Sequence, residues 1–125
     1  MSNSEPLINM ETGIKYCAGS KDFYLEMLQL FCDGYEEHLA NITRTYETED
    51  WKTYTVYVHA LKSSSLNIGG EQLSSAAKEL EFAGKKILES DNGDEGKEYI
   101  INNNEKVMKL YNDTILEAGK ILSTN

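Results

Sequence analysis

Residues 51–87 read WKTYTVYVHALKSSSLNIGGEQLSSAAKELEFAGKKI, and two helical faces are legible in them. Trp51, Tyr54, Val58, Leu61, Ser65 and Ile68 recur on steps of three and four, the spacing of one side of an α-helix. Asp50 stands directly before them as an N-cap. Leu73, Ala77, Leu80, Gly84 and Ile87 repeat the pattern downstream, rich in small residues that permit close packing. Only Gly69-Gly70 separates the two faces, a connection too short for anything but an antiparallel helical neighbour.

The same period extends outward in both directions. Upstream, Tyr24, Leu28, Phe31, Tyr35, Leu39, Ile42 and Tyr46 predict one helix of about seven turns from Lys21, stopped by Thr48-Glu49-Asp50. Before it, Asn9 to Ala18 predicts a short amphipathic helix carrying Met10, Ile14 and Cys17, with Gly19 ending it and Ser20 capping the next. Residues 1–8, with Pro6, read as a polar lead expected to fray. Downstream, Ser90 to Lys97 reads as a loop, and Glu98 to Leu122 as a last helix carrying Ile101, Val107, Met108, Tyr111, Ile115, Ala118 and Leu122. No stretch alternates as a strand would. The expectation is an all-α, up-down-up-down antiparallel four-helix bundle with a short extra N-terminal helix, one domain over residues 1–125.

Composition excludes several classes of function. A 125-residue chain with 40% hydrophobic and 26% charged residues can bury a core without staples and is not of disordered type. Twelve basic residues against 21 acidic ones give a net charge of −9, and Arg44 is the only arginine. Such a balance argues against nucleic acid and against an anionic membrane surface as partners, and its self-repulsion favours a monomer. No apolar h-region follows Met1, and no apolar run approaches the ~20 residues of a membrane span. Cys17 and Cys32 lack metal-ligand spacing, so two reduced thiols in a cytoplasmic protein are expected.

Conventional catalytic constellations are missing. No Gly-rich loop lies between a strand and a helix, and no strand-turn-helix elbow holds a serine nucleophile. Neither Glu-x-x-His nor His-Glu-x-x-His occurs, so no metal site is expected, and Tyr35-Glu36-Glu37-His38 has the wrong spacing. That leaves the two histidines. His38 borders its helix's apolar stripe beside Glu36 and Glu37, and reads as structural or incidental. His59 follows Val58, so it lies about 100° around the helix from the core face. Its helical neighbours are Thr55, Val56, Lys62 and Ser63. Taken bare, it reads as a surface residue. An imidazole with an unperturbed pKa near ~6.5 is nevertheless largely neutral and nucleophilic at pH 7. With a lysine one turn on and small residues beside it, it suits a histidine that accepts a phosphoryl group.

The string Asp50-Trp51 … His59-Ala60-Leu61-Lys62-Ser63-Ser64-Ser65-Leu66-Asn67-Ile68-Gly69-Gly70 … Leu73 … Ala77 … Leu80-Glu81 closely resembles the histidine-containing phosphotransfer (HPt) domain of two-component phosphorelays. The helix beginning Ser20-Lys21-Asp22-Phe23-Tyr24-Leu25-Glu26-Met27-Leu28, with Phe31 following, looks like the family's too, so the resemblance covers about residues 10 to 90. It implies that His59 takes a phosphoryl group from a receiver-domain aspartyl phosphate and passes it to another receiver. By the same resemblance Lys62 neutralises the phosphoryl oxygens, and Gly69 lets the chain turn and the helices pack. Ser63 departs from the family pattern, which has glycine there; its hydroxyl could hydrogen-bond the imidazole or the phosphate.

The resemblance also implies no kinase machinery and no cofactor of the domain's own, with Mg²⁺ supplied by the partner receiver. Partners would be response-regulator receivers or a hybrid sensor histidine kinase. Thr55, Leu66, Asn67 and Gly69, with exposed parts of the helix starting at Lys21, are the docking and close-approach candidates. Two rival readings stand beside this one. A scaffold or adaptor bundle without chemistry would be indifferent to loss of His59, and a metal-binding bundle would need an inward carboxylate and histidine pattern that the sequence lacks.

Overall fold

Three polar side chains start helices where the sequence suggests. Asn9 Oδ1 accepts the Thr12 N–H at 3.1 Å and opens α1 (Met10–Tyr16), and Ser20 Oγ accepts the Phe23 N–H at 3.1 Å and opens α2 (Lys21–Asp33). Asp50 Oδ1 accepts the Thr53 N–H at 3.3 Å and opens α4 (Trp51–Asn67). Each cap satisfies a first-turn N–H that the helix itself leaves unpaired. α3 (Tyr35–Glu47), α5 (Glu71–Glu89) and α6 (Asp94–Thr124) complete the order in a computed structural model that describes residues 5–89 and 93–125. Among the described residues there is no strand, and no helix is long and apolar enough to cross a membrane.

Four expectations need correction. The helix expected to run unbroken from Lys21 to Tyr46 divides at Gly34, whose backbone (φ −85°, ψ −4°) is too shallow in ψ for a regular α-helix. The His38 ring lies over this bend, with Cδ2 2.9 Å from where a Cβ on residue 34 would sit. The last helix begins at Asp94, so the expected loop over 90–97 loses its last four residues to α6; residues 90–92 lie outside the described residues. In α6, Ile100 faces the core and Ile101 is exposed, because the spacing of Val107, Tyr111 and Ala118 runs back to position 100. The lead does not fray over residues 7–8, where Glu117 accepts both the Leu7 and Ile8 N–H groups and Ile8 is buried; residues 1–4 lie outside the described residues.

The bundle closes as a ring of neighbours: α3 on α4, α4 on α5, α5 on α6, and α6 back on α2, with α1 touching α2 and α4. Tyr24, Leu28, Tyr54, Val58, Leu80 and Ile100 are fully enclosed in the core. Burying such side chains contributes roughly 1.5–3 kcal/mol each. The enclosed tyrosines keep their hydroxyls satisfied, Tyr54 donating to Asn104 Oδ1 at 2.6 Å and Tyr24 to the Ile68 carbonyl at 2.8 Å.

The α4–α5 turn is a Schellman cap: Gly69 N–H reaches the Leu66 carbonyl at 3.0 Å and Gly70 N–H the Ser65 carbonyl at 2.8 Å. Gly69 takes φ +86°, a conformation that side chains disfavour, and a Cβ there would collide with the Asn9 carbonyl.

Candidate functional site

The site is made by the close approach of α4 and α5. On α5, Gly84 packs so tightly against Thr55 that a Cβ would strike the threonine hydroxyl. Nearer the turn, Ser74 Oγ donates to the Lys62 carbonyl of α4 at 2.9 Å. Between these two contacts lies Glu81, four residues past Ala77 and three before Gly84, so it points from the packed stripe of α5 toward α4. Its side chain is only 6% exposed.

Glu81 is the centre of a cluster. His59 Nδ1 lies 2.7 Å from Oε2, Lys62 Nζ lies 2.8 Å from Oε1, and Lys85 Nζ lies 3.2 Å from Oε2. Burial alone would push this carboxyl up, but hydrogen bonds from Lys62, His59 and Lys85 together hold it down at about 2. An ionised carboxylate can only accept, so the proton on His59 sits at Nδ1 and donates to Glu81. The neutral ring is thereby fixed in the tautomer whose lone pair is on Nε2. The His59 side chain is 55% exposed, and among the described residues Nε2 has no protein hydrogen bond. The arrangement presents a positioned nucleophilic nitrogen beside two ammonium groups.

The structure sorts the residues singled out in the sequence. It brings His59 and Lys62 onto one carboxylate, and leaves Ser63 exposed one turn beyond His59 with no hydrogen bond to the ring. Leu66 and Asn67 are exposed farther along α4. Thr55 is not available for docking: it is buried beneath Gly84, and its hydroxyl donates to the Trp51 carbonyl at 2.7 Å. Gly69 is buried as well, and Asn9 of the same chain packs closely on it. His38 sits with Ser64 at the border of two small depressions between the α2–α3 bend and α4. Cys17 and Cys32 are both unpaired.

Sequence reasoning assigned no role to Glu81, and its signal was an acidic residue three or four positions from the small residues of an apolar face. Lys85 repeats one turn later on the same side. For the metal-binding alternative, no group of three His, Cys, Asp or Glu side chains among the described residues is placed to hold an ion.

A four-helix bundle presenting one tethered, outward imidazole from mid-helix is the form of a histidine phosphotransfer module. Residues 26–103 match the Hpt domain family, and the chain belongs to it. Over 66 residues, 53% of its length, the chain is 32% identical to the phosphorelay intermediate protein rdeA of Dictyostelium discoideum, and it spans 26% of that relative. The fold matches the crystal structure of the HPT domain from an Hpt sensor hybrid histidine kinase of Shewanella with a TM-score of 0.81. That match covers 95% of this chain and 96% of the other at 18% identity, which establishes a shared fold.

Proposed function

We propose that this Hpt domain is a phosphorelay intermediate in which His59 takes a phosphoryl group from the aspartyl phosphate of one response-regulator receiver and passes it to another. The observation that carries the reading is the 2.7 Å bond between His59 Nδ1 and the buried Glu81 carboxylate, which leaves Nε2 as the free ring nitrogen. In the accepting step the Nε2 lone pair attacks phosphorus. The N–P bond forms as the P–O bond to the receiver's aspartate breaks, and the electron pair departs with that carboxylate. The proton stays on Nδ1, so the ring becomes a phosphoimidazolium whose positive charge faces Glu81. Onward transfer reverses these movements, and the ring leaves as neutral imidazole with its Nδ1 proton in place.

Lys62, 28% exposed and anchored on Oε1, stands ready to neutralise phosphoryl oxygens, and the small side chain of Ser63 leaves the approach open. The domain contributes position and charge. In this reading the receiver brings Mg²⁺ and its own acidic pocket, and the domain has no kinase chemistry or cofactor of its own. Leu66 and Asn67 on α4 and Leu30 on α2 are exposed and form the proposed docking surface for a receiver, free-standing or in a hybrid sensor histidine kinase. The domain works as a monomer in the cytoplasm, where such receivers meet it.

The test is incubation of the purified domain with Mg²⁺ and a panel of phosphorylated receivers, beside His59→Ala. The expected result is acid-labile, alkali-stable label on the wild type and none on the variant. No label from any receiver, with circular dichroism showing intact helices, would instead favour a scaffold without chemistry.

A further inference from the structure

Glu81 binds more positive charge than it needs. One lysine would neutralise it, yet Lys62 and Lys85 both reach it, from α4 and α5 respectively. The two lysines are held differently. Lys62 is 28% exposed and has Oε1 to itself, whereas Lys85 is 53% exposed and shares Oε2 with His59 Nδ1 at the longer distance of 3.2 Å. Sharing that oxygen places the Lys85 ammonium no more than about 6 Å from the imidazole, close enough for a charge to act on a group bonded to it. With a neutral imidazole, two ammonium groups and one carboxylate leave the cluster at +1 in a chain of net −9. Lys78 stands on the rim of the same depression and adds to this local excess.

We propose that Lys85 is a second phosphoryl-holding residue: when Nε2 of His59 carries a phosphoryl group, the Lys85 ammonium leaves Glu81 Oε2 for a phosphoryl oxygen, and Glu81 keeps accepting the hydrogen bond from Nδ1–H. The exchange suits the chemistry. A phosphoryl dianion offers stronger acceptors than a carboxylate oxygen already engaged by Nδ1–H. Lys85 has a long, half-exposed stem that can turn, while Lys62 stays anchored. The alternative is an ordinary helical pair between positions 81 and 85, which would support the helix weakly and contribute nothing to the phosphoryl group. The inference rests on His59 being the phosphoacceptor.

The experiment phosphorylates the domain with phosphoramidate, a small donor that needs no docking partner, and follows the phosphoryl signal by ³¹P NMR as pH is varied. In Lys85→Ala the titration midpoint of the phosphoryl group is expected to rise by about half a unit, a threefold gain in proton affinity from loss of the nearby cation. Lys85→Arg is expected to restore the wild-type midpoint. Lys86→Ala removes the same charge one residue further along α5, where the side chain faces the α5–α6 groove with Glu79 and Glu95, and is expected to leave the midpoint in place. A phosphohistidine whose midpoint is the same in wild type and Lys85→Ala would overturn this inference alone, as would an equal rise in Lys86→Ala. Absence of phosphohistidine in the wild type would overturn the parent reading and this one with it.

Discussion

Burial ordinarily raises a carboxyl's pKa; three donors on Glu81 reverse that and hold it at about 2. A folded-state value below the ordinary 4.5 means that the ionised cluster stabilises the fold above pH 4.5. That contribution is lost as pH falls from there through about 2. The full shift corresponds to a ceiling on the order of 3 kcal/mol. Urea unfolding at a series of pH values therefore should show a steep loss below pH 4.5 that Glu81→Gln lacks. Parallel curves for the two proteins would show that the carboxylate is not carrying charge into the fold. This residue also marks the limit of what sequence patterning can see. His59 and Lys62 were legible because they share one helix at fixed spacing, but Glu81 meets them across a helix pair, and only the register of α4 on α5 sets that meeting.

That register is the work of small residues at the element scale. Gly84 lets α5 come down on Thr55, and the same approach brings Glu81 within hydrogen-bond distance of His59. Gly84→Ala is expected to destabilise the domain by about 1–3 kcal/mol, because the new methyl meets the Thr55 hydroxyl and forces the helices apart. It should also slow the proposed phosphoryl acceptance, since separation loosens the His59–Glu81 bond. Pairing it with Thr55→Ala removes the hydroxyl and should recover part of both losses, a coupling that a double-mutant cycle reads directly. Purely additive effects would place the strain elsewhere. Period and caps made most elements legible: Ser20 and Asp50 start α2 and α4, and Gly69 and Gly70 turn the hairpin. The division at Gly34 was not, because the apolar steps run straight across it from Phe31 to Tyr35 and a change of direction leaves the period intact. The docking role expected of Thr55 failed for a related reason. A threonine one turn from His59 reads as surface until α5 covers it.

At the scale of the whole molecule, the end of the bundle is fastened by contacts between residues more than 100 positions apart. Glu117 of α6 accepts the Leu7 and Ile8 N–H groups at 3.1 and 2.7 Å, Ile8 enters the core, and the Asn9 N–H continues the strap to the Gly69 carbonyl at 2.9 Å. No local pattern announces a carboxylate accepting two backbone donors at this separation, so the lead read as loose. Glu117→Ala leaves both N–H groups without their partner and is expected to cost about 1–3 kcal/mol, or roughly 4 °C in Tm for each kcal/mol at this chain length. The strap meets the α4–α5 turn at Gly69, ten residues past His59 and so roughly 15 Å away along the α4 axis. Function and stability should therefore separate here. Thermal unfolding of Glu117→Ala should fall by several degrees while the rate of the phosphoryl uptake proposed for His59, measured at 20 °C, stays at the wild-type value. A parallel fall in that rate would mean that α1 and the strap hold the α4–α5 hairpin in register, and that the proposed phosphoacceptor depends on the far end of the bundle as well as on the carboxylate beside it.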